Sequence, residues 1–206
     1  IKRICVETPK KPVQAVKTAI LDKSRLIAYT KSYQTQRKYP TMNGQEYLQQ
    51  LEQRLAHYYD KKPLPQAPAF VLAAELNAAD EGYFIVPTLK TYSVQHNEYL
   101  YATHFDKKLT ADMVAPYLQF TKDAMAALKT TTEHMSSIYA LVLICEDGIE
   151  EKALADLQKL RQHKDYCFTL KGWSDLALYL VDIPAQRLYC NKAGAKEKAI
   201  FEFAKG

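Results

Sequence analysis

The chain has 206 residues, of which 48% are hydrophobic and 25% are charged. These proportions are typical of globular proteins and exclude a chain that is disordered throughout. The chain contains no run of roughly 18 apolar residues, so we expect no membrane-spanning helix and no membrane partner.

The net charge of +5 comes from the start of the chain. Residues 1–40 contain ten Lys and Arg residues and only two acidic residues. We therefore interpret residues 1–40 as a basic N-terminal arm and residues 41–206 as a single α+β domain. Such an arm could attract nucleic acid or an acidic partner, and its candidate contacts are Lys10, Lys11, Lys17, Arg25, Arg37 and Lys38. A solvated helix face or a flexible lead-in would explain the same charges.

The cysteines indicate the cellular compartment of the protein. They are Cys5, Cys145, Cys167 and Cys190, and none belongs to a Cys-x-x-Cys or Cys/His metal pattern. Three of them lie in apolar runs, where a buried, reduced thiol is the usual state. The sequence therefore predicts a protein of the reducing cytoplasm, with no cofactor and no metal site.

The first predicted elements are helical. A weak helical period covers residues 12–27. A clearer helix begins at Asn43, because Glu46 three residues later completes a capping box. Its predicted apolar stripe is Tyr47, Leu48, Leu51, Leu55 and Tyr58. The prolines within residues 60–68 then predict a stiff, extended connector.

Three strands are predicted next, and a turn at residues 77–82 separates the first two. The strands cover residues 70–76, 83–94 and 97–105. Their short connections indicate an antiparallel meander. Pro87 favours an edge position or a bulge for the second strand, because proline cannot donate to a ladder.

A helix and the clearest strand of the chain follow. The helix is predicted over residues 112–129, where Pro116 would fit only within the first turn. Its apolar stripe is Met113, Tyr117, Leu118, Thr121, Met125 and Leu128. Residues 138–145 are apolar on both faces, as in a central strand that is covered on both sides. Glu146-Asp147-Gly148 ends this strand.

The last elements complete the predicted fold. The next helix buries Ala153, Leu154, Leu157 and Leu160 and carries Arg161, His163 and Lys164 in its last turn. Further strands are predicted at residues 166–170, 176–183 and 187–191. A short tail helix would hold Ile200, Phe201 and Phe203. This order predicts an α+β fold with a mixed, partly antiparallel sheet and helices packed on it.

The order of helix, three strands, helix and strand also matches the core of the restriction-endonuclease-like nucleases. Those enzymes need an acidic residue on the second core strand and Glu-x-Lys on the third, to hold a metal ion and position water. The predicted second strand, residues 83–94, has no acidic residue, and Glu98 on the third is followed by Leu100 instead of lysine. If the core is of this type, the sequence predicts that its nuclease chemistry is missing.

Two segments combine residue types that could bind a ligand. Glu146 and Asp147 follow the carboxyl end of the central strand, where ligand crevices lie in open α/β sheets. Capping of the following helix is the simpler explanation. The segment Lys171-Gly-Trp-Ser-Asp175 combines charges, a hydroxyl and an aromatic ring, and Gly172 permits backbone geometry that other residues resist. A packed tryptophan on a bulge is the structural alternative.

Histidines give a third candidate. His134 directly precedes the central strand, while His96 and His104 lie on or near the meander. A histidine can act as a base or a ligand, but a hydrogen-bonded structural role is the alternative for each. The candidate ligand-binding residues are therefore His134, Glu146, Asp147, Lys171, Trp173 and Asp175. No catalytic residue is assigned.

Several short motifs of the second half of the chain occur together. They are Glu98-Tyr99, Glu133-His134-Met135, Ile144-Cys145, Phe168-x-Leu170-x-Gly172-Trp173-x-Asp175 and Asn191-x-x-Gly194. Over residues 97–194 the chain resembles a family of uncharacterised bacterial proteins that carry a domain of unknown function. The resemblance implies a small bacterial cytoplasmic protein, and it implies no activity.

We predict a non-enzymatic binding or regulatory domain, because the nuclease carboxylates are missing and the strands are rich in tyrosine. The alternative is a nucleic-acid-binding protein with a degenerate nuclease-like fold, anchored by the basic arm. A weaker hypothesis is a hydrolase that uses His134 with Glu146 or Asp147. That hypothesis requires these side chains to meet in one pocket.

Overall fold

The computed structural model describes residues 42–83 and 90–203, with side chains described for residues 42–77 and 95–203. The helix predicted over residues 12–27 and the basic residues of the arm lie outside this part of the chain. Within it, no helix has the length and apolar character needed to span a membrane.

The described residues form a sheet with helices on both of its faces. The helices are α1 (Gly44–Leu55), α2 (Ala111–Ala127), α3 (Glu151–Lys159) and α4 (Lys198–Phe201), with a 3₁₀ helix at Ala193–Lys196. The strands are β1 (Asp60–Lys61), β2 (Leu72–Tyr83), β3 (Lys90–Phe105), β4 (His134–Cys145), β5 (His163–Asp165), β6 (Trp173–Asp182) and β7 (Arg187–Cys190). The predicted α+β class is therefore confirmed.

The sheet is mixed. Its strand order is β1-β2-β3-β4-β6-β5, and β7 also pairs with β6. The pairs β3–β4 and β4–β6 are parallel, whereas the other pairs are antiparallel. Parallel neighbours need a crossover, and α2 and α3 supply the two that are required.

Strand β4 is a central strand of the sheet, as its sequence predicts. All of its residues from Tyr139 to Cys145 are buried. Alternate side chains enter two separate cores, so both faces of the strand must be apolar. Each fully buried leucine of such a strand stabilises the fold by about 2 kcal/mol.

Each face of the sheet has its own core. One core packs α2 and α3 against the sheet, and its members include Val114, Tyr117, Met125, Leu157, Leu141, Leu143, Leu176 and Leu178. The other packs α1 and α4 against the opposite face, and its members include Tyr47, Leu51, Leu55, Phe201, Leu100, Val142, Tyr179 and Val181.

Helix α1 begins with the predicted capping box. Asn43 Oδ1 accepts a hydrogen bond from Glu46 N at 2.9 Å, and Glu46 Oε2 accepts one from Asn43 N at 3.0 Å. These bonds satisfy amides that the helix itself leaves unpaired. The predicted apolar stripe is wrong at Tyr58, which is 74% exposed because the helix already ends at Leu55.

The predicted meander is instead one long hairpin. Residues 77–82 are not a turn, because β2 runs through them and pairs with β3 from Leu72–Ala102 to Tyr83–Lys90. The ladder supplies partners to the backbone of this polar run, so its turn-like composition does not decide the structure. The two-residue strand β1 lies at the start of the predicted connector and pairs with Glu75 and Ala74.

The longer hairpin changes the comparison with nucleases. In the structure, the second strand of the sheet is β2 and not residues 83–94, and β2 contains Glu75. Glu75 pairs with Tyr99, whereas Glu98 pairs with Leu76, so the two carboxylates point to opposite faces. They cannot share a metal ion. A restriction-endonuclease-like core stays a prediction.

Helix α2 contains Pro116 beyond its first turn, so the expectation that this proline lies in the first turn is wrong. Proline cannot donate to the carbonyl of Asp112 four residues earlier. Both residues are exposed, so water can satisfy that carbonyl.

Residues 163–170 also differ from the prediction. His163 and Lys164 belong to β5 and not to the last turn of a helix. Residues 166–170 are a turn and not a strand, because Cys167, Phe168 and Thr169 have φ of 50°, 53° and 70°. The reason is the antiparallel pairing of β5 with β6, which requires the chain to reverse here.

Candidate functional site

The candidate ligand-binding residues lie at the two ends of β4. His134 is the first residue of this strand, and Glu146 directly follows its last residue. The strand has 12 residues, so these positions are on the order of 35–40 Å apart. A single pocket that contains His134 together with Glu146 or Asp147 is therefore not formed.

At the carboxyl end, Glu146 contacts the start of α1. Its Oε1 accepts hydrogen bonds from Gly44 N at 2.7 Å and from His104 Nε2 at 3.0 Å. A Cβ at position 44 would lie 2.6 Å from both of these side-chain atoms, so the close approach requires glycine. The carboxylate stabilises the amino end of α1. The prediction that this segment caps the helix after β4 is wrong, because Glu150 is the N-cap residue of α3.

At the amino end, His134 binds two groups of the protein. Its Nδ1 is 2.6 Å from the carbonyl of Lys171, so this nitrogen carries the proton. Its Nε2 then accepts the hydroxyl proton of Ser137 at 2.8 Å. This arrangement resembles a catalytic pair, but His134 is 5% exposed and Ser137 is fully buried. The pair holds the segment before β6 against β4.

Gly172 has the special backbone geometry that the sequence predicts. Its φ is +76°, and a Cβ there would lie 2.3 Å from the carbonyl oxygen of Met135. Met135 is the extra residue of β4 where the register with β3 shifts. The glycine therefore allows two stretches of backbone to approach at the amino end of β4.

The turn before Gly172 exposes apolar side chains. Phe168 is 95% exposed and Leu170 is 83% exposed, the two highest values for large apolar residues in the described part of the chain. The turn is nevertheless ordered by backbone bonds from Tyr166 N to Gly172 O (3.0 Å) and from Lys171 N to Tyr166 O (3.1 Å).

Trp173 and Asp175 gather around His163, which is absent from the candidate residues of the sequence. His163 Nδ1 donates to Asp175 Oδ1 at 2.6 Å, and its Nε2 lies 3.3 Å from Asp165 Oδ1. The imidazole also stacks on the indole of Trp173, with ring centroids 6.1 Å apart. The helical pattern of the sequence assigns His163 to the last turn of a helix, and so does not indicate that it belongs to the site. His163, Lys164 and Asp165 are all polar, so no apolar alternation in the sequence indicates the strand that they form.

The hydrogen bond to Asp175 raises the pKa of His163, and the contact with Asp165 adds to the shift. Replacing Asp175 with asparagine should therefore lower this pKa. Because the folded pKa is raised, the contribution of His163 to stability is present at low pH and is lost as pH rises through the folded pKa. The Asp175→Asn variant should lose that contribution at a lower pH.

Trp173 makes this prediction measurable, because it is the single tryptophan of the chain and a protonated imidazole quenches indole fluorescence. A pH titration of Trp173 fluorescence should show a lower midpoint in Asp175→Asn than in the native chain. Asp165→Asn should shift the midpoint less. Equal midpoints in the native chain and Asp175→Asn would contradict the role given to Asp175.

The outer edge of β6 has a gap between its two antiparallel partners. Strand β5 pairs with residues 173–175 of β6, and β7 pairs with residues 179–182. Between them, Asn191 Oδ1 accepts from Leu178 N at 3.0 Å and Asn191 Nδ2 donates to Leu176 O at 2.8 Å. The amide of Asn191 thus replaces a strand at this point.

Asn191 also fixes the elements around the gap. Its Nδ2 donates to the carbonyl of Leu160 at 3.2 Å, and its Oδ1 accepts from Gly194 N at 3.0 Å. The side chain is 2% exposed and makes four hydrogen bonds to backbone groups. It joins the end of α3, the strand β6 and the 3₁₀ helix.

A cleft of about 320 Å³ opens beside this amide, and we name it the edge cleft. Its apolar lining comes from Leu160, Leu176 and Ala193. Its charged lining consists of Arg161, His163, Asp175, Lys192 and Lys196. The cleft therefore combines apolar surface with charged groups that could orient a small molecule.

The described residues contain no group of three or more His, Cys, Asp or Glu side chains arranged to hold a metal ion. A family model described as "Domain of unknown function (DUF8052)" matches residues 43–203. The match is wider than the resemblance over residues 97–194, and it includes α1 and the tail helix. No significant match was found among curated proteins or among solved structures.

Proposed function

We propose that this chain, which belongs to the DUF8052 family, is a binding domain. Its small-molecule ligand would occupy the edge cleft. The observation that carries this proposal is the construction of the cleft around Asn191. This buried side chain bonds both to the end of α3 and to the 3₁₀ helix, and so fixes the distance between them. The space left between them has both an apolar and a charged lining.

The other candidate residues favour binding over catalysis. The hydroxyl of Ser137 is enclosed together with His134, so a substrate has no access to it. One oxygen of the Glu146 carboxylate, Oε1, already accepts hydrogen bonds from Gly44 and His104. Of the candidate residues, Asp175 lines the edge cleft, and Trp173 contacts its lining through His163. Contacts of a ligand with His134, Glu146, Asp147 or Lys171 stay predictions.

The setting of this function is also a proposal. A bacterial cytoplasmic protein fits the resemblance and the free cysteines of the described residues, Cys145, Cys167 and Cys190. Nucleic-acid binding by the basic arm stays a prediction, because its residues lie outside the described part of the chain. It would weaken steeply with salt and on deletion of residues 1–40.

Filling the edge cleft tests the proposal. Ala193 lines the cleft, so Ala193→Phe should occupy it and abolish ligand binding. The assay is a calorimetric titration with a panel of small organic acids, amines, sugars and nucleosides, supported by Trp173 fluorescence. Compounds that bind the native chain should bind Ala193→Phe at least tenfold more weakly.

Ala195→Phe is the matched control. Ala195 is exposed, belongs to the same 3₁₀ helix and does not line the cleft. Its replacement should leave affinity unchanged. If no compound of the panel binds the native chain, or if Ala193→Phe binds as tightly as Ala195→Phe, the edge cleft is not the binding site.

A further inference from the structure

The edge cleft has an excess of positive charge. Arg161 reaches it from the end of α3, while Lys192 and Lys196 reach it from the 3₁₀ helix. None of the three forms an ion pair within residues 42–77 and 95–203. Glu197, which follows Lys196 in the chain, does not line the cleft. Cations from two separate elements thus meet in one cleft.

The acidic group of the cleft does not remove this excess. Asp175 is the acidic residue of the lining, and His163 binds it at 2.6 Å. When His163 is protonated, the two charges cancel and three cations remain. When His163 is neutral, the lining keeps a net charge of about +2, which still attracts an anion.

The remaining lining limits the size and character of such an anion. Leu160, Leu176 and Ala193 present apolar surface to the same space. The volume of about 320 Å³ is near the lower end of the range of roughly 300–1,000 Å³ for ligand pockets. A small carbon skeleton fits these properties better than a bare inorganic ion, because an ion would leave the apolar lining in contact with water.

We infer that the ligand of the edge cleft is a small organic molecule that carries a doubly charged oxyanion, and this inference rests on the proposed binding function. Arg161, Lys192 and Lys196 bind the oxyanion, while the apolar lining contacts its carbon skeleton. A phosphate monoester and a dicarboxylate share this chemistry, and the experiment distinguishes them.

A proton on His163 adds to the attraction. The groups that face His163 are Asp175, Asp165 and Trp173, and the cations of the cleft lie in the same lining. A bound dianion favours the protonated imidazole, so by linkage the protonated imidazole favours the dianion. Affinity should therefore fall as pH rises through the pKa of His163.

Matched pairs of ligands test the inference by calorimetry at constant ionic strength. Phenyl phosphate and phenyl sulfate have similar shapes, but only the phosphate is a dianion near neutral pH. Succinate and butyrate have the same chain length and differ by one carboxylate. We expect the dianion of at least one pair to bind ten or more times as tightly as its monoanion, and the pair that shows this identifies the oxyanion.

Variants locate the effect. Lys192→Gln and Lys196→Gln should each weaken binding of the dianion about tenfold, which corresponds to one lost charge contact. Lys159→Gln is the control, because Lys159 is exposed on α3 and does not line the cleft. In His163→Gln, the affinity for succinate should no longer fall as pH rises above about 6.5.

The possible results separate this inference from the proposed function. If a neutral, cationic or singly charged compound binds as tightly as the dianions and Ala193→Phe blocks it, the inference is overturned and the binding function stands. If no compound binds, both fail. If the dianions bind but Lys192→Gln and Lys196→Gln behave like Lys159→Gln, the assigned cations are wrong and the inference fails.

Discussion

Replacing Gly172 with alanine is expected to lower the free energy of unfolding by about 3 kcal/mol, since two costs combine at this position. A residue with a Cβ resists the left-handed φ of +76°. The new Cβ would also lie 2.3 Å from the carbonyl oxygen of Met135 and 2.8 Å from His134 Nδ1. Urea denaturation followed by circular dichroism measures the loss.

Gly148 provides a matched control. It has the same φ of +76°, but the nearest atom to a Cβ added at this position would be Asp182 Oδ1, at 3.9 Å. Gly148→Ala should therefore cost only the backbone term of about 1 kcal/mol. An equal loss in Gly148→Ala and Gly172→Ala would show that the close approach to Met135 contributes nothing to stability.

The second large effect is expected at Asn191. The variant Asn191→Leu keeps the branched arrangement of the side-chain heavy atoms but removes four hydrogen bonds from a buried site. The amides of Leu178 and Gly194 and the carbonyls of Leu160 and Leu176 lose their partner. A buried group without a partner costs on the order of 1–3 kcal/mol, and partial relaxation reduces the sum to about 4 kcal/mol.

Hydrogen exchange gives a local measurement of the same change. The amides of Leu178 and Gly194 should exchange faster in Asn191→Leu than those of β4. Gln162→Leu is the comparison, because Gln162 is a half-buried amide that binds only the side chains of Thr121 and Met125. It should cost about 1 kcal/mol. An Asn191→Leu variant no less stable than Gln162→Leu would contradict the strand-replacing role of Asn191.

Local patterns predict the elements whose signals are local. The apolar run of residues 138–145 identifies the central strand, because only a strand covered on both faces needs two apolar faces. The capping box at Asn43 correctly predicts the start of α1, since both of its partners lie within one helical turn.

Elements that depend on distant partners are mispredicted. Residues 77–82 have the composition of a turn, but their backbone pairs with residues 92–97 of β3. Residues 166–170 have the composition of a strand, but they must close the connection between β5 and β6. In both places tertiary pairing overrides local preference.

The candidate site is predicted only in part for the same reason. Trp173 and Asp175 are conspicuous in the sequence as chemically rich residues next to a glycine. Their partner His163 and the role of Asn191 depend on where β5 ends and where β7 begins along β6. Those positions depend on how the strands pair in the sheet, so no short sequence motif predicts them.

The position of α1 has a consequence for how the chain folds. Tyr47 of α1 donates its hydroxyl proton to the carbonyl of Phe201 at 2.6 Å, across 154 positions of sequence. The β2–β3 hairpin can form early because its contacts are close in the chain, whereas α1 obtains its full cover only from α4, which lies far along the sequence. During synthesis on the ribosome, part of the apolar face of α1 would therefore stay uncovered until α4 has been translated.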